Sequence, residues 1–381
     1  MLKNMWYVAA DLSEITDKPK HVMVLGQKLV IFRDKENKIA CLSDICVHRG
    51  ASLSKGRVVD GCVECPYHGW RFNGEGVATK IPAQEEGKKI TKRARVDSYP
   101  VKIKYDWIWI FMGDLPEGER PPLPDFPEYS DPNWRTIRGE FTWKADYARV
   151  IENGLDFSHA PFVHPSFGDP NHATIEDFQV KSHEWGAEAE VTYLPPLYTG
   201  IWKFMRRERT PVKANPGFHM SGALMVLRVH ITKTWTQVIY DVNTPIDENT
   251  THTRWIHARN FMRSKFADRD TRKRVHNIFL EDARVVEEVQ PHFLPIDLSE
   301  ELSVKSDGLQ IAFRRMRRSF IKKGWGINID HYKQGENQKH ARVVASPERT
   351  REENQDINWV IPEVPFIKDQ KTSPANDSYI H

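Results

Sequence analysis

Cys46-Val47-His48-Arg49-Gly50 and Cys65-Pro66-Tyr67-His68-Gly69-Trp70 are two short loops, with sixteen residues between His48 and Cys65. Each offers one soft thiolate and one imidazole. Two Cys on one iron and two His on the other is the ligand set of a [2Fe–2S] centre of the mixed kind. The small residue after each His permits a tight turn, and the indole of Trp70 is placed to roof the centre against water. The candidate cluster ligands are therefore Cys46, His48, Cys65 and His68.

A zinc site competes for the same residues. Cys41, Cys46, Cys62 and Cys65 are all the cysteines in the chain, and Cys62-x-x-Cys65 by itself reads as half a zinc ribbon. That reading leaves both histidine loops unexplained. Cys41 and Cys62 are expected on strands leading into the loops, as small buried thiols.

The chain has 381 residues, a net charge of +3 and 28% charged residues. That length accommodates two or three domains and a large core. The charge balance does not describe a nucleic-acid binder. The basic run Arg314-Arg315-Met316-Arg317-Arg318 is expected as a solvated helix face, with docking of an acidic electron-transfer protein as the alternative. No stretch approaches the roughly 20 apolar residues that span a bilayer. Residues 1–10 show no apolar signal region with a cleavage site, and the expected location is cytoplasmic.

Residues 1–115 read as short strands and turns closed by the apolar strand Trp107 to Met112. Pro116, Pro121, Pro122, Pro124, Pro127 and Pro132 punctuate a connector over 116–135, where fixed φ angles exclude helix and central strand. Residues 136–325 form the second domain. Its expected strands are 187–193, 223–231, 234–242 and 251–259, followed by a helix over 268–289. Residues 326–381 are polar, and an extended, partly mobile surface wrap is expected there.

The second constellation lies in residues 144–165. Asn153, Asp156 and His159 recur every three residues and would share one helix face, with His164 beyond the break at Pro161. Two His from one local unit plus a distant carboxylate make the facial triad of non-haem Fe(II) oxygenases. The chain holds 16 His, so the pair alone is a weak signal. The preceding cluster module strengthens it. The carboxylate is argued from periodicity: Val275, Ile278, Phe279, Val285, Val286 and Val289 stripe a helix, and Asp282 fills the gap in that stripe. A buried carboxylate is costly unless paired or metal-bound. An internal salt bridge to an arginine is the alternative. Glu281, Glu287 and Glu288 are expected in solvent. Asp156 is assigned to orienting an imidazole by a hydrogen bond, and Asn153 to positioning Asp156 or an iron-bound solvent molecule.

With both constellations in view, the chain resembles the Rieske non-haem iron oxygenases, in the branch of the dicamba monooxygenase and vanillate O-demethylase oxygenase components. The matching stretches are Asn4-Met5-Trp6-Tyr7-Val8-Ala9, both cluster loops, Asn153 through His164, and Glu281-Asp282. The resemblance implies an α+β chain: an N-terminal all-β Rieske [2Fe-2S] domain and a C-terminal helix-grip catalytic domain, a curved antiparallel sheet with helices. It implies a mononuclear Fe(II), and a head-to-tail homotrimer in which Asp156 bridges a cluster to the iron of the next subunit. It also implies a separate NAD(P)H-dependent reductase, sometimes a ferredoxin. The expected activity is hydroxylation or oxidative demethylation of a small cyclic or aromatic compound with O2. Alternatives are a cis-dihydroxylating arene dioxygenase and, more remotely, an electron carrier without oxygen chemistry. Carriers of respiratory complexes bear a disulfide between the cluster loops, and Ala51 and Tyr67 stand where its cysteines would be. The stretch Tyr193-Leu194-Pro195-Pro196-Leu197-Tyr198 with Ile201, Trp202 and Phe204 is a candidate cavity lining. Arg206, Arg207 and Arg209 are candidate contacts for an acidic substrate.

Overall fold

Strand β11 (Trp107–Met112) is buried along its whole length because a strand pairs on each of its edges. In this computed structural model β1 (Met5–Asp11) runs antiparallel to it, from Met5 opposite Met112 to Asp11 opposite Trp107, with one register shift between Val8 and Ala10. On the other edge lies β10 (Val101–Lys104). An interior strand covered on both faces needs no alternation, which is why the run Trp107-Ile108-Trp109-Ile110-Phe111-Met112 is continuously apolar. The structure describes residues 1–381 apart from 86, 166, 176–177, 196–209, 329–340 and 368–381.

The chain divides into two units. Of the described residues, the first holds Met1–Leu123, Thr244–Glu248 and residues 320–367; the second holds Pro124–Asn243 and Asn249–Ser319. Two further sheets build the first unit: β2 (Lys20–Val24), β3 (Gln27–Arg33), β4 (Ile39–Ser43) and β9 (Ser98–Tyr99), and β5 (Arg57–Val59), β6 (Cys62–Glu64), β7 (Arg71–Phe72) and β8 (Ala78–Lys80). One cysteine loop follows β4, and the other joins β6 to β7. Cys41 lies on β4 and Cys62 on β6.

The segment after residue 325 corrects the expected surface wrap. Val343, Val344, Ala345 and Ser346 are buried. Val344 N–H donates to Gln27 Oε1 at 2.6 Å, and its carbonyl accepts from Tyr99 Oη at 2.6 Å. Arg349 donates to both oxygens of Asp97, at 2.8 and 2.7 Å. Arg95 donates to Asn354 Oδ1 at 2.6 Å and Glu348 Oε2 at 3.0 Å. The Trp359 ring lies 5.0 Å from the Arg95 guanidinium and 4.5 Å from that of Arg349. The strap is held by buried ion pairs and one indole, and a count of apolar residues does not register such anchors.

In the second unit seven strands form one sheet, ordered β12 (Arg135–Trp143), β18 (Thr251–Arg259), β17 (Thr236–Pro245), β16 (Leu224–His230), β15 (Val212–His219), β14 (Gly186–Tyr193) and β13 (Gln179–His183). Its described α-helices are α1 (Pro127–Ser130), α2 (Tyr147–Leu155), α3 (Ala160–Val163), α4 (Asp268–Val286) and α5 (Gly308–Phe320). Helix α1 corrects the helix-free connector, because Pro127 stands at its first position, where a fixed φ and a missing N–H are tolerated. Helix α4 lays Val275, Phe279, Ala283 and Val286 on Ile137, Trp143, Ile239 and Trp255 of the sheet. Its first turn is tied down by Asp268, which accepts from Arg135 and Arg259. Val285 is exposed, so the buried stripe is narrower than the sequence stripe.

Helix α5 corrects the solvated basic face. Arg314 and Arg317 are buried. Arg314 pairs with Glu152 and Glu301, Arg149 joins the same two glutamates, and Arg317 reaches the carbonyl of Leu294. Arg314 faces inward because Glu152 and Glu301 meet it there, while Arg315 stays exposed.

Candidate metal centres

The two cysteine loops share one backbone design. Cys46 N–H donates to Ala51 O and Gly50 N–H to Cys46 O; likewise Cys65 N–H donates to Trp70 O and Gly69 N–H to Cys65 O. Both glycines have positive φ, 75° and 68°, a conformation a side chain would strain. The turns bring His48 and His68 together, with ring centroids 4.4 Å apart, and Trp70 stacks on His48 at 4.7 Å and 7°. Cys46 and Cys65 are buried and unbridged. Burial pushes the Cys46 thiol up to about 12. His48 Nδ1 is buried without a hydrogen-bond partner. A buried thiol pair beside a ring nitrogen with nothing to bond is a donor set that fits a two-iron cluster. Cys41 is enclosed on β4 as expected, whereas Cys62 is only half-buried, its Sγ 3.6 Å from Thr79 Oγ1.

Asn153, Asp156 and His159 do not share one continuous helix. Asp146 caps the start of α2 by accepting from Ala148 N–H. That helix ends at Leu155, and Asp156 N–H closes it onto the carbonyls of Glu152 and Asn153 at 3.0 and 3.1 Å. His159 then precedes α3, whose first turn contains Pro161, and His164 follows its end. A four-residue helix thus separates the two imidazoles and turns them toward each other. Their Nε2 atoms stand 3.2 Å apart. From α4, Asp282 Oδ1 approaches His159 Nε2 at 3.3 Å and His164 Nε2 at 3.1 Å. All three ligand atoms lie within 4.8 Å of one another. No arginine pair holds Asp282 among the described residues.

The electrostatics follow from this convergence. Burial alone would raise the Asp282 carboxyl, yet hydrogen bonds from His159 and His164 outweigh it and bring the group down to about 2. Burial disfavours the charged form of His164, and its bonds to Asp282 and Glu281 more than reverse that, raising its pKa. Two imidazole nitrogens and an anionic oxygen facing one point fit a mononuclear ferrous ion.

Glu281 was expected in solvent, and the structure corrects this: its Oε2 lies 2.8 Å from His164 Nδ1. Metal-binding imidazoles generally donate their far N–H to such a group. The bond expected from Asp156 to His159 is not formed. Asp156 Oδ1 accepts from Ser158 N–H at 2.8 Å and Ser158 Oγ at 2.5 Å, while Oδ2 stands 3.8 Å from His159 Nδ1. The competing local turn wins because Ser158 is two residues away. Asn153 contributes its backbone carbonyl to Asp156. Of the candidate cavity lining, Tyr193 packs with Phe157 and Phe167, at 5.2 and 5.0 Å between centroids. The remainder from Pro196, with Arg206, Arg207 and Arg209, lies outside the described residues.

Comparison with known proteins matches residues 5–100 to the Rieske [2Fe-2S] domain and residues 143–323 to the vanillate O-demethylase oxygenase C-terminal domain. The toluene-4-sulfonate monooxygenase system iron-sulfur subunit of Comamonas testosteroni is 35% identical over 166 residues, 43% of this chain and 47% of that protein. The match thus spans about half of that relative. Methylxanthine N3-demethylase NdmB of Pseudomonas putida is 28% identical over 338 residues, 83% of this chain and 89% of that one. Among solved structures, dicamba monooxygenase bound to 3,6-dichlorosalicylic acid superposes with a TM-score of 0.67 at 26% identity, covering 84% of this chain and 96% of that one.

Proposed function

The chain belongs to the Rieske non-haem iron oxygenases, and on that premise we propose that it is a terminal oxygenase. It oxidatively demethylates or hydroxylates a small cyclic or aromatic compound, using O2 and externally supplied electrons. One observation carries the reading: His159, His164 and Asp282 converge within 4.8 Å in a chain that also holds the two Cys/His loops. When bound, the cluster supplies single electrons and the ferrous ion supplies oxygen activation.

The protein's own groups prepare that chemistry. Cys46, His48, Cys65 and His68 would hold the cluster, and His159, His164 and Asp282 the iron. With iron bound, Glu281, whose Oε2 lies 2.8 Å from His164 Nδ1, would accept the proton there and so free Nε2 to ligate. Asp156 is placed to do the same for His159 once its carboxylate swings from Ser158 across the 3.8 Å gap. Asn153 sets the backbone position of Asp156 through its carbonyl. We further infer a homotrimer in which Asp156 joins the electron-supplying module to His159. A separate NAD(P)H-dependent reductase feeds it, with or without a ferredoxin, in the cytoplasm. No described helix is long and apolar enough to cross a membrane.

Metal analysis tests the reading. Three irons per chain are expected, against two for an electron carrier. With a surrogate reductase, product analysis over methoxylated, N-methylated and unsubstituted ring compounds should then give substrate-dependent oxygen consumption and formaldehyde from the methylated members. Two irons per chain after full reconstitution would overturn it.

A further inference from the structure

We propose that Asp241 recognises the substrate beside the iron triad, accepting a hydrogen bond from an N–H or O–H group on an uncharged ring. The inference rests on the oxygenase reading and names a substrate class for it. Asp241 lies near the middle of β17 and is 3% exposed. Its Oδ1 is buried and has no hydrogen-bond partner. Buried carboxylates are almost always bonded or paired, so an unmet acceptor in a core strand calls for a visiting donor.

The position is consistent with that visitor. Alternate residues of a strand share a face, and two positions away Ile239 packs on Val275, Phe279 and Ala283 of α4. Asp241 therefore lies on the sheet face covered by the helix that carries Asp282. Across β16 its partner is Met225. Met225 lies under Gly154 of α2, where an added Cβ would stand 2.8 Å from Met225 Cε. The residue thus sits among the sheet, the helix turn before His159 and the helix bearing Asp282. Backbone fixes it too, since Asn243 Nδ2 donates to the Asp241 carbonyl at 3.0 Å.

The same unmet acceptor discriminates by hydrogen-bond donor. A carboxylate carried in by a benzoate-like ring presents only acceptor oxygens, which leave Asp241 Oδ1 unmet. A ring hydroxyl, lactam or imide N–H would meet it. Sites built to hydrogen-bond a donor reject analogues that lack it, because the protein group is then left unpaired.

Equilibrium dialysis of the full-chain, iron- and cluster-loaded protein tests this with three probes: 2-methoxyphenol, 1,2-dimethoxybenzene and 2-methoxybenzoate. The wild type should bind 2-methoxyphenol at least about tenfold more tightly than either other probe. Asp241→Leu should abolish that preference. Asp241→Asn, which keeps an acceptor oxygen and the shape, should retain part of it and admit 2-methoxybenzoate more readily. The same ranking in all three proteins would overturn the proposal, as would no binding of 2-methoxyphenol by the wild type. Iron content of each preparation separates the cases: two irons per chain sinks the oxygenase reading, whereas three with an unchanged ranking sinks only the role of Asp241.

Discussion

Glu281 Oε2 lies 2.8 Å from Nδ1 of His164, while the adjacent residue, Asp282, places Oδ1 3.1 Å from Nε2 of the same ring. Consecutive residues of one helix thus grip opposite ends of one imidazole. Glu281→Gln should weaken iron binding about 10–100-fold, the usual effect of losing such an orienting partner. The cluster absorption should be unchanged. Chelator competition at pH 8 measures the effect, and equal affinity in both proteins would remove Glu281 from the site.

Asp156 is turned to Ser158, yet its second oxygen is within a rotation of His159. Asp156→Asn should leave the cluster spectrum and the count of three irons intact while substrate turnover collapses. Freeze-quench EPR, following cluster oxidation after substrate and O2 are added, distinguishes slow electron delivery from lost iron. Normal turnover would take Asp156 out of the electron path.

Asp97 is buried, the side chain of Arg349 is 7% exposed, and two bonds join them. Removing one partner strands a buried charge, so Arg349→Ala should cost about 3–5 kcal/mol of stability. Arg351 is half exposed, and Arg351→Ala should change stability by less than about 0.5 kcal/mol. Denaturant titration followed at the cluster absorption compares the two. Equal midpoints would mean that the strap does not brace the first unit.

Arg135, with Arg259 in support, holds the Asp268 carboxyl down at about 2, against an ordinary value of 3.8. A folded-state value below the unfolded one gives stability that is complete above about pH 4 and lost as pH falls toward 2. Asp268→Asn should therefore flatten the acid limb of a Tm-against-pH curve between pH 5 and 2. It should also lower Tm near neutrality. An unchanged acid limb would show that the pair contributes nothing there.

The parts of the site legible in the sequence are those whose signal is local. Each cluster loop closes on itself, so its cysteine, histidine and turn residues stand side by side in the chain. Asp282 was readable because an acid interrupted an apolar stripe. Glu281 was misread by the same device, since a flank position looks solvated until its partner, 117 residues away, is known. Arg314 and Arg349 were hidden for that reason too: a buried arginine and a solvated one have the same sequence signature until the fold brings acids to it. Asp156 differed because a serine two residues on offers its carboxylate a closer partner than the imidazole.

The strap has a bearing on biogenesis. Residues 343–349 fill gaps beside Gln27, Tyr99 and Asp97, so the module that houses the cluster is assembled from segments far apart in the sequence. A ribosome that has made only the first hundred residues has produced the proposed cluster ligands without their brace. Stable maturation of that module must therefore await translation of residues 343–349. Nascent chains stalled before residue 341 should take up cluster more slowly, or lose it sooner, than finished ones.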